Sequence, residues 1–405
     1  CKPLLEWPWC NDTWRCHRVL FGIGGIMSIK SQARARDSSN ATNHIYEDPL
    51  RLGALNLIEG CLDDVFGKTV LVVAEDPRLG WYDAAAPAIV EAILMEMGAT
   101  VKTLTVGEPK NHAITAVQEA IDAADEVIFF ARIGDQRRFK SQYRGPRPVM
   151  SYALNAGMLA SGYGRLDHRA MSALKNAIDE ITLSAQHIEI TCPLGTHFEG
   201  TPGKSITEGG EVTVSRYPMG VPKPVLADGF TGVVKLTHYL SPAGSKVYTP
   251  AYLELPGILT AHVEGSRIAN VTGEVNLVKA FKEHYQRVAT EFDLEPFNID
   301  SWHAGIHPLM GYDMPASSDP VRWSQTVFPN PRFLHFHTCG TGPPGEICWM
   351  ILDPTITVDG VALWQNGRLH PERFASTMEV LRAEPKLANA FSAPVSEVGL
   401  EDIVW

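Results

Sequence analysis

"TVLVVAEDP", residues 69–77, decides the fold. From Thr69 to Ala74 the run is apolar or β-branched without a break. A strand of that texture is buried on both faces, as in parallel sheets covered by helices on either side. The flanking segments supply those helices. "YEDPLRLGALNLIEGCLDDVF" (46–66) carries apolar residues at helical spacing, and "AAAPAIVEAILMEMG" (84–98) is a helix stopped by Gly98. A strand "ATVKTLTV" (99–106), a helix "AITAVQEAIDAAD" (113–125) and a strand "EVIFFARIG" (126–134) follow. "DHRAMSALKNAIDEITLSA" (167–185) is a helix opened by Asp167. This alternation over residues 45–190 predicts an α/β domain with a doubly wound parallel sheet.

Beyond residue 190 the texture changes. Gly and Pro become frequent, and "EVTVSRYP" (211–218), "GVVKLTHYL" (232–240) and "AYLELPGILTAHVEGSRIANVTG" (251–273) alternate like antiparallel strands and hairpins. One amphipathic helix, "NLVKAFKEHYQRVATEF" (276–292), interrupts them. The expected organisation is an α/β domain over 45–190 and an α+β, β-rich domain over 191–405. Residues 1–44 are expected to be a disordered or non-native extension. Within it, residues 1–26 are rich in Trp and Cys, and Met27 reads as a translation start.

The chain has 405 residues and a formal net charge of -11. An acidic surface without a Lys/Arg run argues against a nucleic-acid partner. No apolar run approaches the ~20 residues that span a bilayer, so no membrane partner is expected. Seven cysteines without a CxxC pair suit a reducing, cytoplasmic setting. "FGIGGI" and "GTGPPG" lack the strand–helix context of a nucleotide loop, and no GxSxG elbow occurs.

Chemistry concentrates between residues 303 and 346. "SWHAGIHP" (301–308) holds His303 and His307, "RFLHFHTCGTG" (332–342) holds His335 and His337, and Glu346 follows in "GPPGEICW". Imidazole and carboxylate together suit Fe, Zn, Mn or Co. On a strand, His335 and His337 share one face with Cα atoms ~7 Å apart, close enough to converge on one ion, with Phe336 on the other. His303, on a preceding loop, is the natural third ligand, and Glu346 can complete or replace one. The same pattern also describes an exposed cross-strand pair without metal. Likewise His307 reads equally as a loop residue, His197 as structural or substrate-facing, and Glu211 as a solvated turn carboxylate. Cys339 and Cys348 read as small buried apolar residues. Trp302, Tyr312, Trp323 and Trp349 fit a flat ligand or a packed core.

The order of motifs from about residue 185 to 365 resembles the M29 aminopeptidase-like superfamily, nearest its 2,5-dihydroxypyridine 5,6-dioxygenase-type branch. "ITCPLGTHFEG" (190–200) resembles the family's strand with "GTDL", and "EGGEVTV" (208–214) its "GEVF" turn, whose glutamate binds metal in the peptidases. "SWHAGIHP" resembles the dioxygenase loop whose histidine ligates iron, which implies that role for His303. "FLHFHTCGTG" and "ILDPTITVDG" (351–360) resemble the strands flanking the last ligand segment. That segment departs from the family: where His-x-Asp is expected the chain reads "GEICW", with Glu346 and Cys348 at the two positions. His335 and His337 then supply the missing ligands from the neighbouring strand.

The resulting expectation is a mononuclear non-haem enzyme, with Fe(II), or Mn(II), Zn(II) or Co(II), held by His303, His335 and His337 or by two of these plus Glu346. Its substrate would be a small aromatic or N-heterocyclic compound, whose ring it cleaves with dioxygen. His307, Tyr312 and Glu211 are acid/base candidates; Arg322 or Arg332, with Trp302 and His197, are substrate-binding candidates. A metal-dependent hydrolase or aminohydrolase is the rival, and a binding module that has lost its metal the third reading. The resemblance also implies a homo-oligomer.

Overall fold

The computed structural model describes residues 48–109, 114–137, 147–203, 214–242, 248–340 and 345–400. Residues 1–44 and Glu211, on which expectations were placed above, lie outside the described residues.

Helix α1 (Pro49–Cys61) starts where Asp48 accepts the Leu50 N–H and Pro49 occupies the first turn. There follow β1 (Thr69–Glu75), α2 (Ala85–Glu96), β2 (Thr100–Val106), α3 (Ile114–Asp122), β3 (Glu126–Phe130) and β4 (Val149–Ser151). As expected from its unbroken apolar run, β1 is a buried interior strand, pairing in parallel with β2 on one side and β3 on the other. Val70, Val72 and Val73 are fully buried. Gly98 ends the second helical segment at φ +87°, a conformation that costs glycine little. Short helices α4 (Ala156–Ala160) and α5 (Gly162–Arg165) lead into α6 (His168–Leu183), which Asp167 caps by accepting the Ala170 N–H at 2.8 Å.

The second half opens with β5 (Ile188–Thr191) and β6 (His197–Gly200), an antiparallel pair. Strand β7 (Ser215–Tyr217) corrects the expectation for "EVTVSRYP": it pairs in parallel with β4 and closes the first sheet in the order β2-β1-β3-β4-β7. The reason lies in Tyr217, which is fully buried and donates its hydroxyl to the Gly53 carbonyl on α1 at 2.8 Å. The α/β layer thus takes its last strand from beyond residue 190.

The remaining strands are β8 (Val225–Leu226), β9 (Phe230–Pro242), β10 (Leu253–Glu264) and β11 (Arg267–Thr272), then, after α7 (Val275–Phe292), β12 (Ile299–Ala304). Helix α8 (Pro320–Val327) precedes β13 (Phe333–Thr338), β14 (Ile347–Leu352), β15 (Thr355–Val358), β16 (Val361–Gln365) and β17 (Arg368–Leu369), and helices α9 (Ala375–Ala383) and α10 (Pro385–Ser392) follow. They form a large antiparallel sheet in the order β17-β16-β15-β5-β6-β9-β14-β13-β12-β8, with β10 and β11 continuing from β9. One apolar cluster lies under the parallel sheet and another packs α6 and α7 against the large sheet, through residues such as Leu174, Ile178, Phe281, Phe336 and Trp349. Among the described residues no helix is long and apolar enough to cross a membrane.

Candidate metal centre

Three adjacent strands, β12, β13 and β14, build the centre. The expectation placed His303 on a loop; the structure places it on β12, directly opposite His335 on β13. Strand alternation explains this. Trp302 and Ala304 bury into the core on one face, and Ser301 and His303 point to the other. Phe336 likewise turns into the core against Trp349, leaving His335 and His337 on the opposite face. Two rows of side chains cross that face: Ser301, His337, Cys348 on β14 and Ser241 on β9; and His303, His335 and Met350.

The three imidazoles meet at their Nε2 atoms. His303 Nε2 lies 2.5 Å from His335 Nε2 and 3.1 Å from His337 Nε2. His303 and His335 are buried, and His337 is nearly so. The other ring nitrogens decide the tautomers. Nδ1 of His303 is 3.0 Å from the Pro222 carbonyl oxygen, which can only accept, so Nδ1 carries the proton and Nε2 a lone pair. Nδ1 of His337 faces Oε1 of the buried Glu346, an acceptor, so this Nδ1 also carries a proton and Nε2 is the nitrogen left to meet a proton or a metal ion. His303 Nε2 and His337 Nε2 thus face each other at 3.1 Å, a contact that takes either a proton or a metal ion between the two nitrogens. Imidazole nitrogens bound to one zinc-like ion at about 2.0–2.1 Å lie roughly 3–3.5 Å apart. The His303–His337 spacing meets this and the His303–His335 spacing of 2.5 Å is shorter, so the rings would part slightly around an ion; as three imidazole nitrogens the donor set suits a divalent transition metal. His303 and His337 each have the outer partner, carbonyl or carboxylate, that orients a ligating imidazole. His335 is flanked by the Phe328 ring, with centroids 5.6 Å apart.

Glu346, expected among the ligands, stands behind His337 on its Nδ1 side rather than among the three Nε2 atoms. Its other oxygen, Oε2, is buried with no hydrogen-bond partner among the described residues. Sequence reasoning missed the Pro222 carbonyl, Phe328, Ser241 and Asp300. Asp300 occupies the β-bulge between Ile299 and Ser301 and accepts the Ser301 hydroxyl at 2.8 Å. Burial raises its carboxyl pKa, the Ser301 hydrogen bond and the charge of His337 oppose the rise, and the charge of Glu346 adds to it. A bulge leaves no signature in a strand this short, and a backbone carbonyl leaves none at all.

The remaining candidates are not brought to the three imidazoles. His307 is fully buried against the Tyr163 ring at 4.7 Å, and burial, with the nearby His168, pushes its pKa down to about 3. Trp302 packs edge-on against Phe230 in the core, on the face away from His303. His197 is half exposed and pairs with Glu189 at 3.1 Å. Tyr312 bridges to Val398, and burial raises its hydroxyl pKa. Arg322 donates to the Gly80 and Trp81 carbonyls and lies over the Trp81 ring. Arg332 is held by a two-pronged pair with Asp353, both contacts 2.7 Å. Trp323 and Trp349 are core residues. Cys339 and Cys348 are buried and form no disulfide among the described residues; burial pushes the Cys339 thiol up to about 12, and Cys348, unlike the others, lies beside the centre, across the ladder from His337.

No protein-family model matches the chain, and no curated protein sequence matches it. Solved structures do. 2,5-Dihydroxypyridine dioxygenase from Pseudomonas putida KT2440 superposes with a TM-score of 0.54 at 13% identity, over 81% of this chain and 98% of its own. Wild-type AmpT from Thermus thermophilus has a TM-score of 0.47 at 12% identity, over 80% and 99%. The chain shares its fold with the dioxygenase, in agreement with the M29-like order of motifs.

Proposed function

We propose that the chain is a non-haem metal enzyme that holds its reactive ion, Fe(II) foremost, with His303, His335 and His337. In this reading it cleaves the ring of a small hydroxylated aromatic or N-heterocyclic compound with dioxygen. The observation that carries the metal is the convergence of three imidazole Nε2 atoms, two of the rings being held by Pro222 and Glu346 through their Nδ1 atoms. The shared fold with a dioxygenase supports the choice of reaction. When bound, Fe(II) would offer open positions for substrate oxygens and dioxygen side by side.

The chain's own residues have separate tasks. Pro222 and Glu346 hold the rings of His303 and His337 in their tautomers. Phe328 covers the His335 ring and keeps water from that side. Asp300, whose carboxyl binds a proton more readily than usual, can hold one near His337 and Glu346.

A metal-dependent hydrolase of a small aromatic or amide substrate is the second reading. One observation favours it: three imidazoles with no carboxylate among them is also the donor set of a catalytic zinc. Mn(II) and Co(II) suit the same nitrogen donors. A cytoplasmic homo-oligomer completes the proposal. The test is turnover under air and under argon, with Fe(II), Mn(II) and Zn(II), against hydroxypyridines and substituted aromatic acids. Fe(II)-dependent oxygen uptake coupled to ring opening supports the first reading; equal rates under argon replace it with the second.

A further inference from the structure

The back of His337 is itself a ligand set. Its Nδ1 faces Glu346, and Cys348 lies directly across the β13–β14 ladder from His337. Ligand atoms of His337, Glu346 and Cys348 all lie within 4.8 Å of one another. Glu346 is 1% exposed, and its Oε2 has no hydrogen-bond partner among the described residues. A buried carboxylate oxygen without a donor is costly and calls for a cation. Across the β14–β9 ladder from Cys348 stands Ser241, fully buried, whose Oγ also lacks a partner among the described residues. Two unsatisfied buried oxygens thus belong to residues that neighbour a thiol and a ring nitrogen.

We propose that this pocket is a second cation site, formed by Nδ1 of His337, the carboxylate of Glu346 and the thiolate of Cys348, with the Ser241 hydroxyl beside them. It would take a borderline-soft divalent ion, Zn(II) before Fe(II), because nitrogen, oxygen and sulfur donors together select zinc-like ions. The inference rests on the front centre described above, since His337 serves both ions, through Nε2 in front and Nδ1 behind. On binding, the rear ion replaces the Nδ1 proton and the Cys348 thiol proton, and both leave to solvent. No electrons move. The imidazolate, carboxylate and thiolate carry three negative charges against the four positive charges of two ions, so the buried charge nearly balances. The Glu346–His337 contact is the protonated form of the same site. The rear ion does not meet substrate; it holds the His337 ring and sets how strongly that ring donates to the front ion.

The test is metal analysis of the full chain after equilibration with Zn(II) and removal of loose ions, together with the absorption spectrum of the Co(II)-substituted protein. Two ions per chain are expected in the parent. One is expected in Cys348→Ser and in Glu346→Gln, and one in His303→Ala, which loses only the front ion. A thiolate-to-cobalt charge-transfer band should appear in the parent, in His303→Ala and in the control Cys339→Ser, and vanish in Cys348→Ser. Circular dichroism checks that each variant is folded. A single ion in the parent, lost in His303→Ala and never accompanied by a thiolate band, overturns the rear site and leaves the front centre standing. A single ion that gives the thiolate band and survives His303→Ala supports the rear site and overturns the front one. A parent that binds no ion overturns both.

Discussion

Mild acid is expected to unfold this protein, and the size of the effect follows from three buried histidines outside the metal centre. Burial pushes His168 and His284 down to about 4 and His307 down to about 3; the charge of Arg287 adds to the shift at His284, and that of His168 to the shift at His307. Each packs against a tyrosine: His168 on Tyr217, His284 on Tyr248, His307 on Tyr163. The folded state therefore holds these rings neutral, while the unfolded chain protonates them near pH 6.5. A base whose folded pKa is lowered gives its full stability above the unfolded value and loses it as pH falls toward the folded value. At pH 5 each ring costs about 2 kcal/mol, and the three together about 6 kcal/mol. That is a large part of the 5–15 kcal/mol typical of a folded protein. The assay is urea unfolding of the metal-stripped protein between pH 7.5 and 5, for the parent and His168→Phe. The variant keeps a ring against Tyr217 but removes one titrating group, so the two curves should differ by about 2 kcal/mol more at pH 5 than at pH 7.5. The centre's own imidazoles are common to both proteins and cancel. A parent whose stability is flat over this range, or a variant that tracks it in parallel, refutes the reasoning.

Two further outcomes follow from the packing around the centre. Gly305 follows the His303 strand, and a Cβ there would meet the Asn330 carbonyl oxygen at 2.2 Å, a backbone atom that cannot rotate away. Gly305→Ala should displace the end of β12 and weaken metal binding at least tenfold while far-ultraviolet circular dichroism is retained; unchanged metal affinity would contradict this. Behind Phe336, the Tyr285 hydroxyl receives the Trp349 indole N–H at 2.5 Å and lies 2.6 Å from Thr338 Oγ1. Tyr285→Phe leaves a buried indole N–H unpaired and should cost about 1–3 kcal/mol in denaturant unfolding, and a loss below 0.5 kcal/mol would show that the network relaxes.

Some of this was legible in the sequence because it depends on local pattern. The apolar run of β1, the Asp167 cap of α6 and the alternation that sends Phe336 inward and both neighbouring histidines outward all follow from side-chain period and capping. Other features depend on pairings no local pattern carries. Ser215–Tyr217 reads like a hairpin strand, yet its tyrosine reaches back to Gly53 on α1 and draws it into the parallel sheet. His303 looked like a loop residue because Gly305 and Pro308 follow so closely, while its partner strand lies about thirty residues on in the chain. Helix α8 escapes a reading of the sequence although Asp319 and Pro320 form a readable start, since the helix is only eight residues long. Glu346 was recognised as a residue of the site, but whether it stood before or behind His337 depends on the β13–β14 register, which the intervening glycines hide. Arg322 and Arg332 looked available for a substrate anion; their carbonyl and carboxylate partners come from residues far away in the chain or across a turn.

The central claim is that His303, His335 and His337 hold one metal ion through their Nε2 atoms. Equilibrium titration of the metal-stripped protein with Fe(II), under argon and against a competing chelator, tests it most directly. The account predicts one Fe(II) bound by the three imidazoles of the parent, and at least hundredfold weaker binding of that ion by both His303→Ala and His335→Ala, each still folded by circular dichroism. Parent and variants binding equally well, or a parent that binds no metal, would contradict it.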